Sequence, residues 1–546
     1  MLRIVSLLCV AILWTLPAAA QGVPDELVAR VPDRPDGKLS EILARGRLVV
    51  GVKTDYAPWG VRRADGTIEG LEVDLARDLA ERLGVGLELI GVTANNRIDR
   101  VNQGRVDVVI ATTGDTAERR MQADLIQPNY YSSGVVVYGR RDLPVEGWAD
   151  LRGARLCLNR SAYYNRALEE TYEIEGRYFA GRREALLGLK SGRCDGWAFD
   201  DTALERYTRD NPSETFGVMV EPILEIPWAI LVARGEGDRS LGRFLSDMVA
   251  EWHASGRILA LQDAWRIPRT AYVAGQHDLW RTMAADRPAC ARDPETGAHP
   301  AACLDLDPYR SSPDVALTGW MATLERATGL NLAAFASEWE RSRLLRGVGL
   351  TLALSATSIL GALAVGVGLA LSEDVLGRRG ALGRILLLPQ RALVTVARMT
   401  PPILQLYIAF FGLGGVFLAA PELTPGAFVI ACAVFSLYAG ASNAVMLSHG
   451  MAQVRAARPA AAAPALLPAA IGRSFDGLIA ACVNIVKAAG LASAIAVPEL
   501  VSSVNLTVAE GGDATTLMNG LLVFYFLLVT AILWLFRGVR ARVVSA

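Results

Sequence analysis

Histidine is scarce in this chain, with four among 546 residues. None stands in an H-x-x-x-H pair and no cysteines stand as C-x-x-C. Both absences argue against a metal centre, and no metal ligand is assigned. No G-x-x-x-x-G-K-[ST] occurs, so the chain lacks the loop that cradles nucleotide phosphates by that route. Basic excess is missing as well. Lys and Arg number 55 against 56 Asp and Glu, a net charge of −1, which argues against a nucleic-acid binder. Charged residues make up 20% and hydrophobic ones 52%, with mean hydropathy +0.29. That balance excludes disordered, collagen-like and disulfide-scaffold chains. Charges are dense up to about Arg346 and sparse beyond it. The average therefore combines a soluble half and a membrane half.

The N-terminus reads as a secretory signal over residues 1–20. Arg3 supplies the positive region, Ile4–Leu16 the apolar run, and Ala18-Ala19-Ala20 the cleavage site. An uncleaved anchor is the alternative, and either exports the next segment. Seven cysteines follow from this compartment. Cys9 leaves with the signal, and Cys432 and Cys482 sit in apolar runs as packing residues. Cys290 and Cys303 flank a loop and can close a disulfide under oxidising conditions. Cys157 and Cys194 can pair as well, but spacing alone leaves the connectivity open.

From about Lys38 to Ile267, short β-like runs alternate with amphipathic helical ones. Leu48–Val52 reads as a strand. Leu71, Leu75, Leu79 and Leu83 recur at helical spacing. Val106–Ala111 is the continuous apolar run of a buried parallel strand. Gly134–Tyr138, Arg155–Leu158 and Gly196–Phe199 repeat the strand signal. Such alternation predicts an α/β fold. Two units in one segment predict two lobes around a cleft, with ligand groups at strand C-termini and helix N-termini. Residues 268–343 form a connector too long for a bare tether. Its helical periodicity returns over Asp314–Ser342, and it carries no assigned function.

Gly70-Leu71-Glu72-Val73-Asp74-Leu75 matches the signature of the periplasmic solute-binding proteins (family 3) for polar amino acids. "LVVGVKTDYAPWG", "NNRIDRVNQGRVDVVIATTGDTAERR" and "QPNYYSSGVVVY" stand in that family's order. The resemblance covers about 230 residues, 38–267. It implies a type II bilobed fold whose two crossing strands, near Ser133–Tyr138 and Ile226–Val232, form a hinge. An amino-acid zwitterion needs a guanidinium for its carboxylate and a carboxylate for its ammonium. The motif match implies Arg119 for the first and Asp200 for the second, with Asp201 as fallback. It implies Tyr56 as an aromatic on the ligand and Ser161 as a donor from the second lobe. No cofactor is implied. Gly114 departs from the family's usual hydroxyl, and Tyr163 and Tyr164 are bulky for its anion loop. Asn96-Arg97 resembles the acidic-amino-acid subgroup, and Lys53 and Arg160 add positive charge. The lean is toward glutamate or aspartate.

Beyond Leu344, runs near the 20 apolar residues of a membrane span recur. They fall at Leu344–Leu371, Met399–Ala419, Gly426–Leu447, Leu478–Val497 and Thr516–Phe536. Arg378, Arg379, Arg384, Arg455, Arg458, Arg473, Arg537, Arg540 and Arg542 lie on one side. Glu422, Glu499, Glu510 and Asp513 lie on the other. The positive-inside rule puts the soluble half outside and the C-terminus inside. The stretches "LLRGVGLTLALSATSILGALAVGVGLAL", "ARMTPPILQLYIAFFGLG" and "NIVKAAGLASAIAVPEL" resemble the type-1 ABC permeases of the histidine/glutamate/glutamine class. Residues 344–546 are thereby an expected all-α permease domain of about five spans. The family's E-A-A-x3-G coupling loop is replaced by Met451–Pro464, "MAQVRAARPAAAAP". Arg455 and Arg458 are its candidates for meeting an ATPase.

The expectation is an amino-acid importer subunit of the bacterial inner membrane, with receptor and permease in one chain. ATP hydrolysis falls to a separate ABC ATPase, and a homodimer or second permease completes the pathway. A membrane-tethered sensor that no longer transports is the alternative, favoured by the altered loop. A ligand-gated channel is disfavoured because both lobes end before the first span. An enzyme of the cyclohexadienyl dehydratase kind is disfavoured because no catalytic constellation stands out.

Overall fold

The computed structural model describes residues 23–160, 162–311, 317–412 and 425–543. The expected signal segment, Ser161, Asp314 and Glu422 lie outside the described residues. Leu71–Leu83 is a helix with the expected bounds, burying Leu71, Leu75, Leu79 and Leu83. Its start explains Gly70. The residue has φ +149°, and a Cβ there would lie 2.1 Å from the Trp59 carbonyl oxygen, so only glycine fits.

One sheet runs through both lobes. Gly86–Gly91, Arg47–Val52 and Val108–Ile110 are its parallel strands in lobe one. Glu175–Phe179, Arg155–Asn159 and Gly196–Asp200 are those of lobe two. Between them lie two antiparallel strands, Asp124–Arg140 and Ile223–Val232. Leu231 and Val232 pair with lobe one, whereas Val135–Gly139 pair with lobe two. These are the expected crossing strands, longer than the apolar runs that marked them. This is the bilobed type II fold. Cys157–Cys194 ties the middle of the strand Arg155–Asn159 to the loop just before Gly196–Asp200 in lobe two, and Cys290–Cys303 closes a loop of the connector. Cys432 and Cys482 are free thiols in the helical half.

The second half is all helical. Among the described residues, five helices are long and apolar enough to cross a membrane: Glu338–Gly377, Gly380–Met399, Ala427–Ala457, Ala463–Ile495 and Ala514–Arg540. Gly380–Met399 is not among the expected runs; of the expected run Met399–Ala419, the described part holds a shorter apolar helix, Pro402–Gly412, and residues 413–419 lie outside the described residues. Pro401 holds Thr400 in extended backbone (φ −88°, ψ 131°) and ends the helix Gly380–Met399. A short helix, Pro402–Tyr407, follows. Arg384, Arg391 and Arg398 interrupt the apolar run of Gly380–Met399 and hid it from a search for charge-poor stretches. The fourth span likewise begins well before Leu478. Small residues let the helices approach closely. A Cβ on Gly366 would lie 2.6 Å from the Asn443 Cβ of the third span.

The lobes sit on the helical half. Arg193 of lobe two donates to the carbonyls of Phe410 (3.0 Å) and Pro425 (2.9 Å), with its guanidinium 4.4 Å from the Phe410 ring centre. Arg166 lies 5.5 Å from the ring centre of Trp339. The connector instead grips lobe one. Tyr309 bridges to Thr116, and its carbonyl accepts the Ala117 N–H at 2.9 Å.

Candidate ligand-binding site

A cavity of about 100 Å³ lies between the lobes. One water takes about 10–15 Å³ on this scale, so the space admits roughly seven to ten atoms. That is the size of one amino acid.

The lobe-one wall is the loop after Val108–Ile110. Thr112 has φ +47°, an unusual conformation for a β-branched residue. Its neighbours hold it there. The Glu72 carboxylate accepts the Thr112 N–H at 2.6 Å and the Tyr130 hydroxyl at 2.5 Å. Arg97 Nη1 donates to the carbonyls of Ala111 (2.6 Å) and Thr112 (3.0 Å). Burial raises the Glu72 carboxyl to about 7. The signature Glu72 thus positions the loop. Its role had no signal beyond the motif itself, because a Glu on an apolar helix face looks solvated. The same loop is pinned to the hinge, where Asp115 N–H donates to the Pro227 carbonyl at 2.7 Å.

Arg119 follows on a short helix capped by Thr116. It is buried and lines the cavity. Its Nη1 donates to the Gly114 carbonyl at 2.7 Å. A Cβ on Gly114 would lie 3.1 Å from that Nη1. The missing side chain at 114 is therefore space that the guanidinium uses.

Asp200 enters from lobe two, where the strand Gly196–Asp200 meets the helix Asp201–Asp210. Its carboxylate accepts the Tyr56 hydroxyl from lobe one. That bond crosses the cleft and holds the lobes together. Burial pushes the Asp200 carboxyl up to about 6, against the stabilising Tyr56 hydroxyl. Tyr56 also packs on Phe199, with ring centres 5.1 Å apart. Asp201 is engaged elsewhere, accepting the Ser133 hydroxyl at 2.6 Å. Ser161 lies outside the described residues.

The two bulky tyrosines are anchored to backbone. Tyr163 donates to the Leu224 carbonyl at 2.8 Å, beside the second crossing strand's start. Tyr164 donates to the Ala198 carbonyl at 3.3 Å. Sequence reasoning missed Arg182, which lines the cavity and reaches across to the Ala57 carbonyl at 3.2 Å. Lys53, Arg97, Arg119, Arg160 and Arg182 face only Asp55 and Asp200 among the cavity's charged groups. The excess positive charge suits a ligand with net negative charge. Among the described residues, no group of three His, Cys, Asp or Glu could hold a metal.

The two coupling candidates lie apart from the cleft. Arg455 pairs with Asp374 through Nε at 2.8 Å and donates to the Ala461 carbonyl at 2.8 Å. Arg458 is exposed in the turn that joins the third and fourth spans.

Residues 48–267 match the family model of bacterial extracellular solute-binding proteins, family 3. This segment is a solute-binding domain of that family. The glutamine-binding protein of Geobacillus stearothermophilus is 28% identical over 199 residues, which are 35% of this chain and 74% of that protein. The L-cystine-binding protein TcyJ of Escherichia coli (strain K12) is 26% identical over 234 residues, 42% and 86% of the two chains. The solved structure of holo ArgBP from T. maritima is 26% identical, covering 42% of this chain and 99% of that one, with a TM-score of 0.37.

Proposed function

We propose that this chain is the substrate-binding and permease subunit of an ABC importer for amino acids. Residues 38–267 capture the ligand, 268–343 connect, and 344–546 form the pathway. The observation that carries the reading is the cleft itself. Arg119 and Asp200, from opposite lobes, line one cavity of amino-acid size. A guanidinium and a carboxylate so placed complement the two ends of a zwitterion. The names of the relatives, which bind glutamine and L-cystine, support the substrate class. The basic excess in the cavity supports an acidic amino acid.

Ligand closes the lobes, and the closed form presses on the helical half through Arg193. A separate ATPase then drives the spans to the inward-facing state. On this reading the cleft faces the periplasm, the spans cross the inner membrane and the C-terminus is cytoplasmic. The exposed apolar face of the last span, with Leu522, Phe526 and Trp534, fits lipid or a second permease copy.

The test is thermal stabilisation of the full chain in nanodiscs by each of the twenty amino acids. Specific binding stabilises by RT ln(1 + [L]/Kd), about 4 kcal/mol at a thousandfold excess over Kd. L-glutamate or L-aspartate should shift wild type and leave Arg119→Ala unmoved. No shift from any amino acid would refute the substrate class.

The tethered sensor has one observation in its favour. The third and fourth spans are joined by a short turn after Ala457, with no intervening helix. ATPase co-purification with the full chain, and ATP-dependent uptake in proteoliposomes, separate importer from sensor.

A further inference from the structure

Arg160 stands where the ligand cleft and the helical half meet. It follows the strand Arg155–Asn159 of lobe two, and its N–H donates to the Phe179 carbonyl at 3.0 Å. The side chain is buried and lines the ligand cavity. Its Nη2 donates to the carbonyl of Ser493 at 2.5 Å. Ser493 belongs to the turn Ala489–Ile495, which closes the fourth span. Its Nε is buried with no hydrogen-bond partner. A buried guanidinium N–H left unpaired is costly, more so than a neutral one.

The turn beyond Ser493 leads to Glu499, which is fully buried and caps the short helix Leu500–Ala509. Its carboxylate accepts the N–H groups of Val501 (2.8 Å) and Ser502 (2.9 Å). Burial lowers the Arg160 pKa, and the Glu499 carboxylate opposes that shift. Arg160 is thus drawn toward the helical half by a carbonyl and a carboxylate, while its side chain lines the cleft.

We propose that Arg160 is a ligand-contacting residue that also clamps the Ala489–Ile495 turn, so that cleft occupancy and the seating of the membrane domain are coupled through one guanidinium. This rests on the amino-acid reading of the cleft and assigns the distal carboxylate of an acidic ligand to the Arg160 guanidinium, which lines the cavity. A carboxylate there pairs with the guanidinium and fixes the side chain. The fixed side chain holds Ser493 more firmly. Coupling of this kind is reciprocal, so the seated membrane domain raises ligand affinity by the same factor. It also makes the cleft part of a larger site, since the membrane domain supplies the partner that orients one of its cations.

The experiment uses the full chain in nanodiscs with L-glutamate and L-glutamine as probes. Binding is measured by calorimetry, and amide hydrogen exchange is followed over residues 489–499. Arg160→Gln removes the charge, whereas Arg160→Lys retains it without the fork. Loss of a hydrogen bond to a charged group predicts about ten- to hundredfold weaker L-glutamate binding in Arg160→Gln. L-glutamine, which lacks the distal charge, should lose less. Arg160→Lys should recover part of the L-glutamate affinity but not the exchange protection. In ligand-free protein, Arg160→Gln should speed exchange across 489–499. L-glutamate should slow that exchange in wild type and leave it unchanged in Arg160→Gln.

Equal exchange in ligand-free wild type and Arg160→Gln would overturn the clamp even if amino acids bind. Equal losses for the two probes would overturn the assignment of the distal carboxylate. Failure of wild type to bind any amino acid would overturn the ligand contact together with the functional reading, while the ligand-free exchange comparison still decides the clamp.

Discussion

Arg119 and Asp200 carry opposite charges into one cavity, where the Arg119 guanidinium donates to the Gly114 carbonyl and the Asp200 carboxylate accepts the Tyr56 hydroxyl. Arg119→Ala should weaken amino-acid binding about 100-fold or more, because a charged hydrogen-bonding partner is lost in a buried site. Tyr56→Phe should cost about 1 kcal/mol, roughly fivefold, since the aromatic packing on Phe199 remains. Calorimetry on the full chain measures both. Burial pushes the Asp200 carboxyl up to about 6. Ammonium binding needs the ionised form, so affinity should fall about tenfold for each pH unit below 6. The sign for stability is the reverse. Between about pH 4 and 6 the folded state holds a proton that the unfolded state has released, so this group's contribution declines as pH rises. Asp200→Asn should remove both slopes.

At the scale of elements, two devices hold parts together that the sequence separates. Cys157–Cys194 spans 37 residues in lobe two, and a loop of that length is worth about 3–4 kcal/mol in the chain-entropy account. Cys157→Ala with Cys194→Ala should lower the unfolding temperature of lobe two by several degrees, followed by calorimetry, without abolishing ligand binding. The first and third spans approach so closely at Gly366 that Gly366→Leu has no room beside Asn443. It should reduce the folded yield from detergent sharply, whereas Gly368→Leu, with open space around its Cβ position, should not. At the end of the helix Ala427–Ala457, Arg455 is committed to Asp374 and Ala461. On the proposed importer reading, Arg458→Glu should accordingly weaken ATPase co-purification more directly than any change at Arg455, which first loosens the following turn.

At the scale of the whole molecule, lobe two bears on the helical half through Arg193, the connector holds lobe one, and lobe one also meets the helical half where a Cβ on Gly511 would lie 2.9 Å from the Glu118 Cβ. The Asp124–Arg140 and Ile223–Val232 strands join the two lobes. Arg193 is a buried guanidinium clamping the Phe410 and Pro425 carbonyls. Arg193→Ala should leave amino-acid affinity within about threefold, because Arg193 does not line the cavity; on the proposed importer reading it should also abolish ligand-stimulated ATP hydrolysis, which reconstitution with a candidate ATPase would read.

The two-lobed α/β half was legible in the amino acids alone, because apolar periodicity reports which faces are buried and the Gly70–Leu75 motif needs no partner to be recognised. Long apolar helices in the second half were legible for the same reason. Gly380–Met399 was not, since three arginines break its apolar run. Motif position nominated Arg119, Tyr56 and Asp200, and the structure brings them to one cavity. Glu72, Arg182 and the Tyr163 anchor were not legible, because their roles depend on neighbours tens to hundreds of residues away. Which cysteines pair, whether Asp200 or Asp201 faces the cleft, and that Arg160 reaches Ser493 are likewise decisions of tertiary structure. Local sequence specifies what each segment can bury, whereas the partner of a buried charge is settled only when distant segments pack around it.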